Sequence, residues 1–276
     1  MVKQLTCKPS GRRILISSCS AIVVILAAAL PAHAQDPGAE EIGLQIAIET
    51  RERARGFGNF TARQTMLLRN KQGQESRREL RVKVLEVEGD GDRSLFVFDE
   101  PRDVAGTAML VHGHTDAADD QWLYLPALTR VKRISSSNRS GSFMGSEFSY
   151  EDMSVPEVEK FTFRYLRDDP CGELTCTVVE RYPTDERSGY LRQVVWRDKD
   201  ELRVWKVEYY DRRDSHLKTL TLANYGLYLD RFWQASELTM VNHLTGKSTE
   251  LTWSDFQYGT EIDAREFTQS GLRRVR

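Results

Sequence analysis

The sequence predicts a mainly β protein built on one large, curved antiparallel sheet, with an N-terminal helix before it. A helical repeat of apolar residues is clear over residues 39–55, and beyond it the apolar pattern alternates with a period of two. Eleven or more alternating segments follow at short intervals, separated mostly by turn sequences. No second long helical pattern lies among them, which favours a meander over alternating strand and helix units. A sheet of that size must curl.

The first 34 residues have the features of a cleavable signal peptide. A positive segment comes first, formed by Lys3, Lys8, Arg12 and Arg13. An apolar run over residues 14–30 and the small residues of Ala32-His33-Ala34 follow. An uncleaved membrane anchor is the alternative, but serines within the run and the cleavage signal after it favour removal. We therefore expect cleavage before Gln35, export to the periplasm, and one β domain over residues 35–276.

The charge of the predicted mature chain argues against nucleic acid as a partner. Residues 1–34 hold four of the 39 Lys and Arg residues and none of the 41 Asp and Glu residues, which leaves a net charge of about −6. A mildly acidic domain is a poor candidate for nucleic-acid binding.

The predicted elements begin with a helix over residues 39–55, in which Ala39, Ile42 and Ile46 share a face that should lie on the sheet. The predicted strands are 60–69, 80–84, 94–98, 107–112, 121–125, 130–134, 160–167, 175–182, 190–197, 202–210, 217–225, 231–241 and 248–258. Turns are predicted between most of them, at residues 71–74, 89–92, 168–170, 198–200, 211–214 and 245–247. Residues 135–155 fit no strand pattern, and so long a loop is typically functional or disordered.

Two cysteines, Cys171 and Cys176, remain after the predicted cleavage and lie on either side of a four-residue segment. In an oxidising compartment this spacing indicates a local disulfide across a hairpin turn. Two free thiols are the alternative. A metal or redox role is weaker, because the two-residue redox spacing and a second ligand pair are both missing.

The middle of the chain strongly resembles the outer-membrane lipoprotein-sorting proteins, which are related to the periplasmic lipoprotein carrier LolA. The resemblance depends on the sequences of residues 119–128, 131–137 and 141–152, the last being Gly-Ser-Phe-Met-Gly-Ser-Glu-Phe-Ser-Tyr-Glu-Asp. It extends through Trp196 and Phe267. It implies an open half barrel with an apolar concave face, capped by helices or a long loop. It also implies a non-enzymatic carrier of lipid or lipoprotein acyl chains.

A carrier needs an apolar cavity and a cover, and the long loop contains residues suited to both. Four large side chains lie among its glycines and serines: Phe143, Met144, Phe148 and Tyr150. Methionine tolerates ligands of variable shape, and Gly141 and Gly145 let the backbone move. We predict that this segment binds ligand as a mobile gate, with Phe143 and Met144 filling the cavity mouth. A fixed plug of ordinary core is the alternative.

Two further groups are candidates for ligand contact. Trp122 and Tyr124 share one face of their strand, and Leu123 and Leu125 share the other. The sequence does not say which face lines the cavity, and an aromatic pair is often plain core. Basic residues beside the loop could meet an anionic head group or could form a solvated patch: Lys132, Arg133 and Arg139.

His112, His114 and Asp116 match the His-x-His-x-Asp pattern of metallo-hydrolases, and the two histidines point the same way on a strand. Residue 117 is Ala where that pattern continues with another His. We therefore expect no metal, no cofactor and no enzyme activity.

Three functions remain open at this point. The first is a monomeric periplasmic carrier or chaperone for a lipid or lipoprotein acyl chain, with an RND-type exporter or an outer-membrane receptor as a possible partner. The second is an accessory subunit of such an exporter, whose concave face would dock a protein. The third and most remote is a metal-dependent hydrolase that uses His112, His114 and Asp116.

Overall fold

A computed structural model of the protein describes residues 37–275. The predicted signal peptide and its cleavage site at Ala34/Gln35 lie outside those residues. Helix α1 spans Pro37–Ala54 and is followed by thirteen strands. These are β1 (Asn59–Arg69), β2 (Glu75–Leu85), β3 (Arg93–Glu100), β4 (Ala108–His112), β5 (Asp120–Leu125), β6 (Arg130–Arg133), β7 (Phe161–Cys171), β8 (Leu174–Pro183), β9 (Tyr190–Asp198), β10 (Val204–Asp211), β11 (His216–Tyr228), β12 (Phe232–Asn242) and β13 (Ser248–Tyr258). A short helix, α2, spans Gln269–Leu272.

All thirteen strands form one antiparallel sheet, in the order β6-β5-β4-β3-β2-β1-β13-β12-β11-β10-β9-β8-β7. The sheet consists of two meanders joined where the first strand, β1, pairs with the last, β13. In the described chain, β6 and β7 are the two edges and do not pair with each other, so the sheet is open. The predicted half barrel is confirmed.

The long connection between β6 and β7 is a consequence of this strand order. Because these strands lie at opposite edges, the intervening residues 134–160 must cross a face of the sheet. They carry short 3₁₀ helices at Ser136–Asn138, Tyr150–Met153 and Val158–Lys160, but no strand. The capping loop predicted at residues 135–155 therefore exists, and its path is fixed by topology.

Bulges and register shifts bend the sheet. Pairing shifts between Thr61 and Arg63 on β1, between Glu79 and Leu80 on β2, and between Tyr165 and Arg167 on β7. An extra residue in one strand of an antiparallel pair bends that strand and increases the local twist. Repeated in several strands, this curvature gives the sheet a concave face.

The two faces of the sheet have separate cores, because side chains alternate along a strand. In β3, Phe96 and Phe98 belong to the concave core. Their neighbours Leu95 and Val97 belong to a second core on the convex face. Phe267 and Leu272, from the C-terminal segment, are completely buried in that second core. The sequence pattern did not predict the helical turns that place these two residues there.

Helix α1 packs on strand β7 through small residues. A Cβ atom at Gly43 would lie 2.9 Å from the backbone nitrogens of Arg164 and Tyr165, so only glycine allows this approach. One turn later, Ala47 is buried beside Phe163. The predicted helix is confirmed, beginning two residues earlier and ending one residue earlier than predicted. The predicted contact face is partly wrong, because Ile42 is 48% exposed. Because the backbones of α1 and β7 approach closely, the contact face of the helix carries the small residues Gly43 and Ala47 instead of the larger Ile42.

The predicted disulfide joins Cys171 and Cys176, with an S–S distance of 2.00 Å. One predicted turn beside it is wrong: residues 168–170 do not turn but extend β7, where Asp169 pairs with Cys176. The chain reverses after Cys171 instead, at a Gly172 with φ of +66°. Pro170 is tolerated within the strand because β7 is an edge of the sheet.

Among the described residues, no helix is both long enough and apolar enough to span a membrane.

Candidate binding cavity

The concave face of the sheet lines an open cavity of about 1510 Å³. Its floor comes from β1 to β3 and from β8 to β13, and its walls come from the C-terminal half of α1 and from the loop over residues 151–160. The lining is mainly apolar and includes Phe60, Val84, Phe96, Val195, Val207, Leu220, Leu238, Leu251, Trp253 and Phe256. Ligand pockets for small molecules measure about 300–1,000 Å³, so this cavity has room for a larger apolar ligand.

One end of the cavity is built from aromatic rings. Phe60 lies 5.7 Å from Phe57 and 5.3 Å from Tyr258, measured between ring centroids. Phe57 also meets Phe232 edge-on at 6.3 Å. All four rings line the cavity. Aromatic side chains have few rotatable bonds, so this end offers a large apolar surface that keeps its shape without a ligand.

The opposite end of the concave face is filled by the capping loop. Phe143 is completely buried, with its ring 5.8 Å from Phe98 and 6.3 Å from Phe96. The loop is also folded on itself: the Phe143 amide donates to the Phe148 carbonyl at 2.7 Å, and Ser146 Oγ donates to the Phe143 carbonyl at 2.7 Å. Phe143 does not line the large cavity, whereas Phe148 does. The geometry favours the fixed-plug alternative for Phe143.

Buried polar contacts attach the loop to the sheet. Asp152 accepts hydrogen bonds from Lys218 Nζ at 2.7 Å and from the Tyr190 hydroxyl at 2.9 Å. Lys218 Nζ also donates to the Glu147 carbonyl at 2.9 Å. Burial and the nearby Asp152 carboxylate raise the pKa of Tyr190 well above its usual value, so the hydroxyl stays protonated and donates. Tyr190 on β9 and Lys218 on β11 therefore hold the loop at Glu147 and at Asp152.

Comparison with solved structures identifies the family. A protein from Vibrio parahaemolyticus, described as an outer-membrane lipoprotein-sorting protein domain, is 54% identical to this chain. The match covers 85% of this chain and 100% of that one, with a TM-score of 0.84. The chain belongs to the outer-membrane lipoprotein-sorting protein family.

Two further solved structures share the fold. A DUF1329 family protein from Desulfovibrio piger is 28% identical, with a TM-score of 0.80, over 85% of this chain and 99% of that one. A LolA superfamily protein from Nitrosomonas europaea shares the fold at 19% identity and a TM-score of 0.67, over 83% of this chain and 99% of that one. Residues 90–274 also match a family described only as an uncharacterized protein. No curated protein matches the chain.

In this lipoprotein-sorting protein, the predicted aromatic pair lies away from the cavity. Trp122 and Tyr124 belong to the convex core, together with Phe267 and Leu272. Their neighbour Leu123 belongs to the concave core instead. The sequence left the choice of face open. In the structure Leu123 lies on the concave side, and neither Trp122 nor Tyr124 lines the large cavity.

The remaining loop residues, Met144, Phe148 and Tyr150, have three different surroundings. Tyr150 lines a second cavity of about 440 Å³, together with Leu123 and Leu125. Met144 packs against the concave core, and its carbonyl accepts a hydrogen bond from Arg78. Of the six aromatic and apolar residues predicted to bind ligand, Phe148 alone lies in the lining of the large cavity.

The three predicted head-group residues do not converge. Arg133 forms an ion pair with Asp120 on the surface, and Lys132 lines the smaller cavity. Arg139 lines the large cavity and lies 3.7 Å from the Asp185 carboxylate. Of the three, Arg139 alone lines the large cavity, and contact of these residues with a head group stays a prediction.

The histidine motif of this family member has structural partners. His112 Nε2 lies 2.8 Å from the Phe267 carbonyl oxygen, and its ring contacts Trp122 at 5.0 Å. His114 Nδ1 lies 3.0 Å from an Asp90 carboxylate oxygen. Over residues 37–275, no three potential metal ligands converge. Burial lowers the pKa of His112.

The polar residues of the cavity were not predicted from the sequence. Arg181 and Gln193 pair across β8 and β9, and both lie in the cavity lining. Arg197 occupies the same face of β9, two positions beyond the apolar Val195. Apolar residues occur on both faces of β8 and β9, so the alternation alone did not show that these polar residues point into the cavity.

Proposed function

We propose that this protein is a periplasmic carrier that binds the acyl chains of a lipid or lipoprotein in the cavity of its concave face. The observation that supports this function is an apolar cavity of about 1510 Å³ that the protein's own side chains do not fill. Protein interiors are normally packed to a density that leaves only small voids, so a space of this size and composition indicates a ligand.

Acyl chains match the lining in chemistry. Each buried methylene group contributes about 0.8 kcal/mol, so a long acyl chain gains substantial binding energy from apolar walls alone. The aromatic end offers rigid apolar area, and the charged residues of α1 at the rim, among them Arg51, Arg53 and Arg55, remain near solvent. Nothing in such binding requires catalysis.

The proposed location and partners follow from the same reasoning. A signal peptide over residues 1–34, cleaved near Ala34/Gln35, would deliver the protein to the periplasm. The Cys171–Cys176 disulfide suits that oxidising compartment. The name of the Vibrio parahaemolyticus relative also points to the outer membrane. In this proposal, the carrier works as a monomer and exchanges its ligand with an RND-type exporter or an outer-membrane receptor.

The proposal is tested by filling the cavity. Leu238 on β12 lines the cavity, and replacing it with Trp places an indole where an acyl chain would lie. Val241, on the same strand, is 38% exposed and provides the matched control. We expect a fluorescent fatty acid to bind the wild type and Val241→Trp alike, and to bind Leu238→Trp at least about tenfold more weakly. Equal affinity for all three proteins, or no binding to the wild type, would refute the carrier function.

A further inference from the structure

Two arginines lie in the apolar cavity without a carboxylate of their own. Arg181 on β8 and Arg197 on β9 are only 8% and 7% exposed. Across the described residues, neither guanidinium forms an ion pair, and Nε of Arg197 has no hydrogen-bond partner. A buried charge without a partner is strongly unfavourable, and proteins almost always pair it.

The strand register places both arginines on the cavity face. Arg181 pairs with Gln193, Val179 pairs with Val195, and Thr177 pairs with Arg197. Directly opposed residues of an antiparallel pair project to the same side, so the two arginines are separated by one apolar rung of the ladder. Both residues line the large cavity.

The contacts of Arg181 show that the protein orients this side chain without neutralising it. Its Nε donates to Gln193 Oε1 at 2.8 Å, and its guanidinium lies 4.7 Å from the Phe161 ring centroid. Both contacts fix direction, and neither supplies a negative charge. Burial lowers the pKa of Arg181; the Asp152 carboxylate opposes that shift, but it already accepts hydrogen bonds from Lys218 and Tyr190.

The two charges also repel each other. Burial and the charge of Arg181 lower the pKa of Arg197 to about 9, which leaves its guanidinium protonated at neutral pH. A neighbouring arginine of the cavity shows the usual arrangement, since Arg203 Nε donates to Asp198 at 2.9 Å. The chain therefore gives Arg203 a carboxylate partner, whereas Arg181 and Arg197 form no ion pair among the described residues.

Gln64 on β1 is a second, independent example of a buried polar side chain in the cavity lining that lacks a partner. The residue is completely buried and lines the cavity, yet both its amide nitrogen and its amide oxygen are without a partner in the described structure. Buried amides are normally hydrogen-bonded. The cavity therefore offers both charged and neutral hydrogen-bonding groups to a ligand that is otherwise apolar.

We infer that the cavity binds an amphiphile with an acidic head group, a carboxylate or a phosphate, whose oxygens pair with Arg181 and Arg197 inside the cavity. This inference rests on the proposed carrier function and specifies its ligand class. Guanidinium groups bind carboxylates and phosphates through paired N–H donors, and the bond is strongest where water is excluded. The head group would thus enter the cavity together with its chain.

The test compares ligands that have the same chain but an acidic or a neutral head group. Oleate is paired with oleyl alcohol, and lysophosphatidate with monooleoylglycerol, each titrated calorimetrically below its micelle concentration. We expect the wild type to prefer the acidic member of one pair or both by at least about tenfold, and the preferred pair identifies carboxylate or phosphate. Arg197→Met should lose that preference while its affinity for the neutral ligand stays within about threefold of wild type.

Two controls isolate the contribution of the buried arginines. Arg231→Met removes the same charge from the exposed rim of the cavity and should keep the preference. Arg197→Met should be at least as stable to heat as the wild type without ligand, because it removes an unpaired buried charge. Equal affinity for acidic and neutral ligands would overturn the acidic site and leave the carrier function standing. Failure of the wild type to bind any of the four would overturn both.

Discussion

Lys218 on β11 donates to the Asp152 carboxylate across 2.7 Å, although the two side chains are only 4% and 6% exposed. Asp152 belongs to the loop that crosses the concave face, so this buried pair ties the loop to the sheet. Removing one partner of such a pair leaves the other charge buried and uncompensated.

Replacing Lys218 with Met should therefore destabilise the protein by about 3–5 kcal/mol, measured by urea denaturation. The double variant Lys218→Met/Asp152→Leu removes both charges and should recover most of that loss. A single variant that loses less than about 1 kcal/mol would mean that the pair does not anchor the loop.

Phe143→Ala should lower the free energy of unfolding by about 3–5 kcal/mol, because its ring is completely buried between Phe96 and Phe98. Fatty-acid affinity should stay within about twofold of wild type, since the ring does not line the large cavity. Phe148→Ala is the matched control, because Phe148 lines the cavity and its loss should weaken binding. A Phe143→Ala protein that binds fatty acid clearly more tightly than the wild type would favour the mobile gate.

The Cys171–Cys176 disulfide closes a short loop, and chain entropy alone predicts that it stabilises the fold by about 2 kcal/mol. The double variant Cys171→Ser/Cys176→Ser should lose about that amount in denaturant unfolding. Native protein isolated from the periplasm should contain no free thiol. A count of two thiols would show that the bridge does not form in the cell.

Asp92 should make stability depend on pH. Burial, together with repulsion from Glu86 and Glu157, raises the pKa of its carboxyl to about 7. Ionisation of this group therefore costs more in the folded protein than in the unfolded chain. The contribution of protonated Asp92 to the stability of the folded protein is therefore fully present below about pH 4. It is lost as the pH rises through 7.

Asp92→Asn should accordingly gain about 1–3 kcal/mol relative to wild type at pH 8 and little or nothing at pH 4, measured by chemical denaturation at both values. The exposed Asp200→Asn is the control and should follow the wild-type profile. If the stability of Asp92→Asn depended on pH in the same way as that of the wild type, the raised pKa of Asp92 would be contradicted.

The sequence contained enough to predict the helix and all thirteen strands, because alternation and turn residues are local signals. It did not locate the cavity. Trp122 and Leu123 are neighbours on β5, and their assignment to opposite cores depends on how the whole sheet curves. The buried arginines were missed for a related reason: a charged residue in a strand is normally assigned to the solvent face, and only the three-dimensional register shows Arg197 pointing inward.

The most direct test of the carrier function is native mass spectrometry, with lipid extraction, of the mature protein purified from the periplasm. The cavity should retain an endogenous acyl-chain lipid, seen as an added mass that disappears on denaturation and is recovered in the extract. The Leu238→Trp variant, purified in parallel, should show much less of it. A wild-type protein that carries no lipid, or that carries the same lipid as Leu238→Trp, would contradict a carrier whose ligand lies on the concave face.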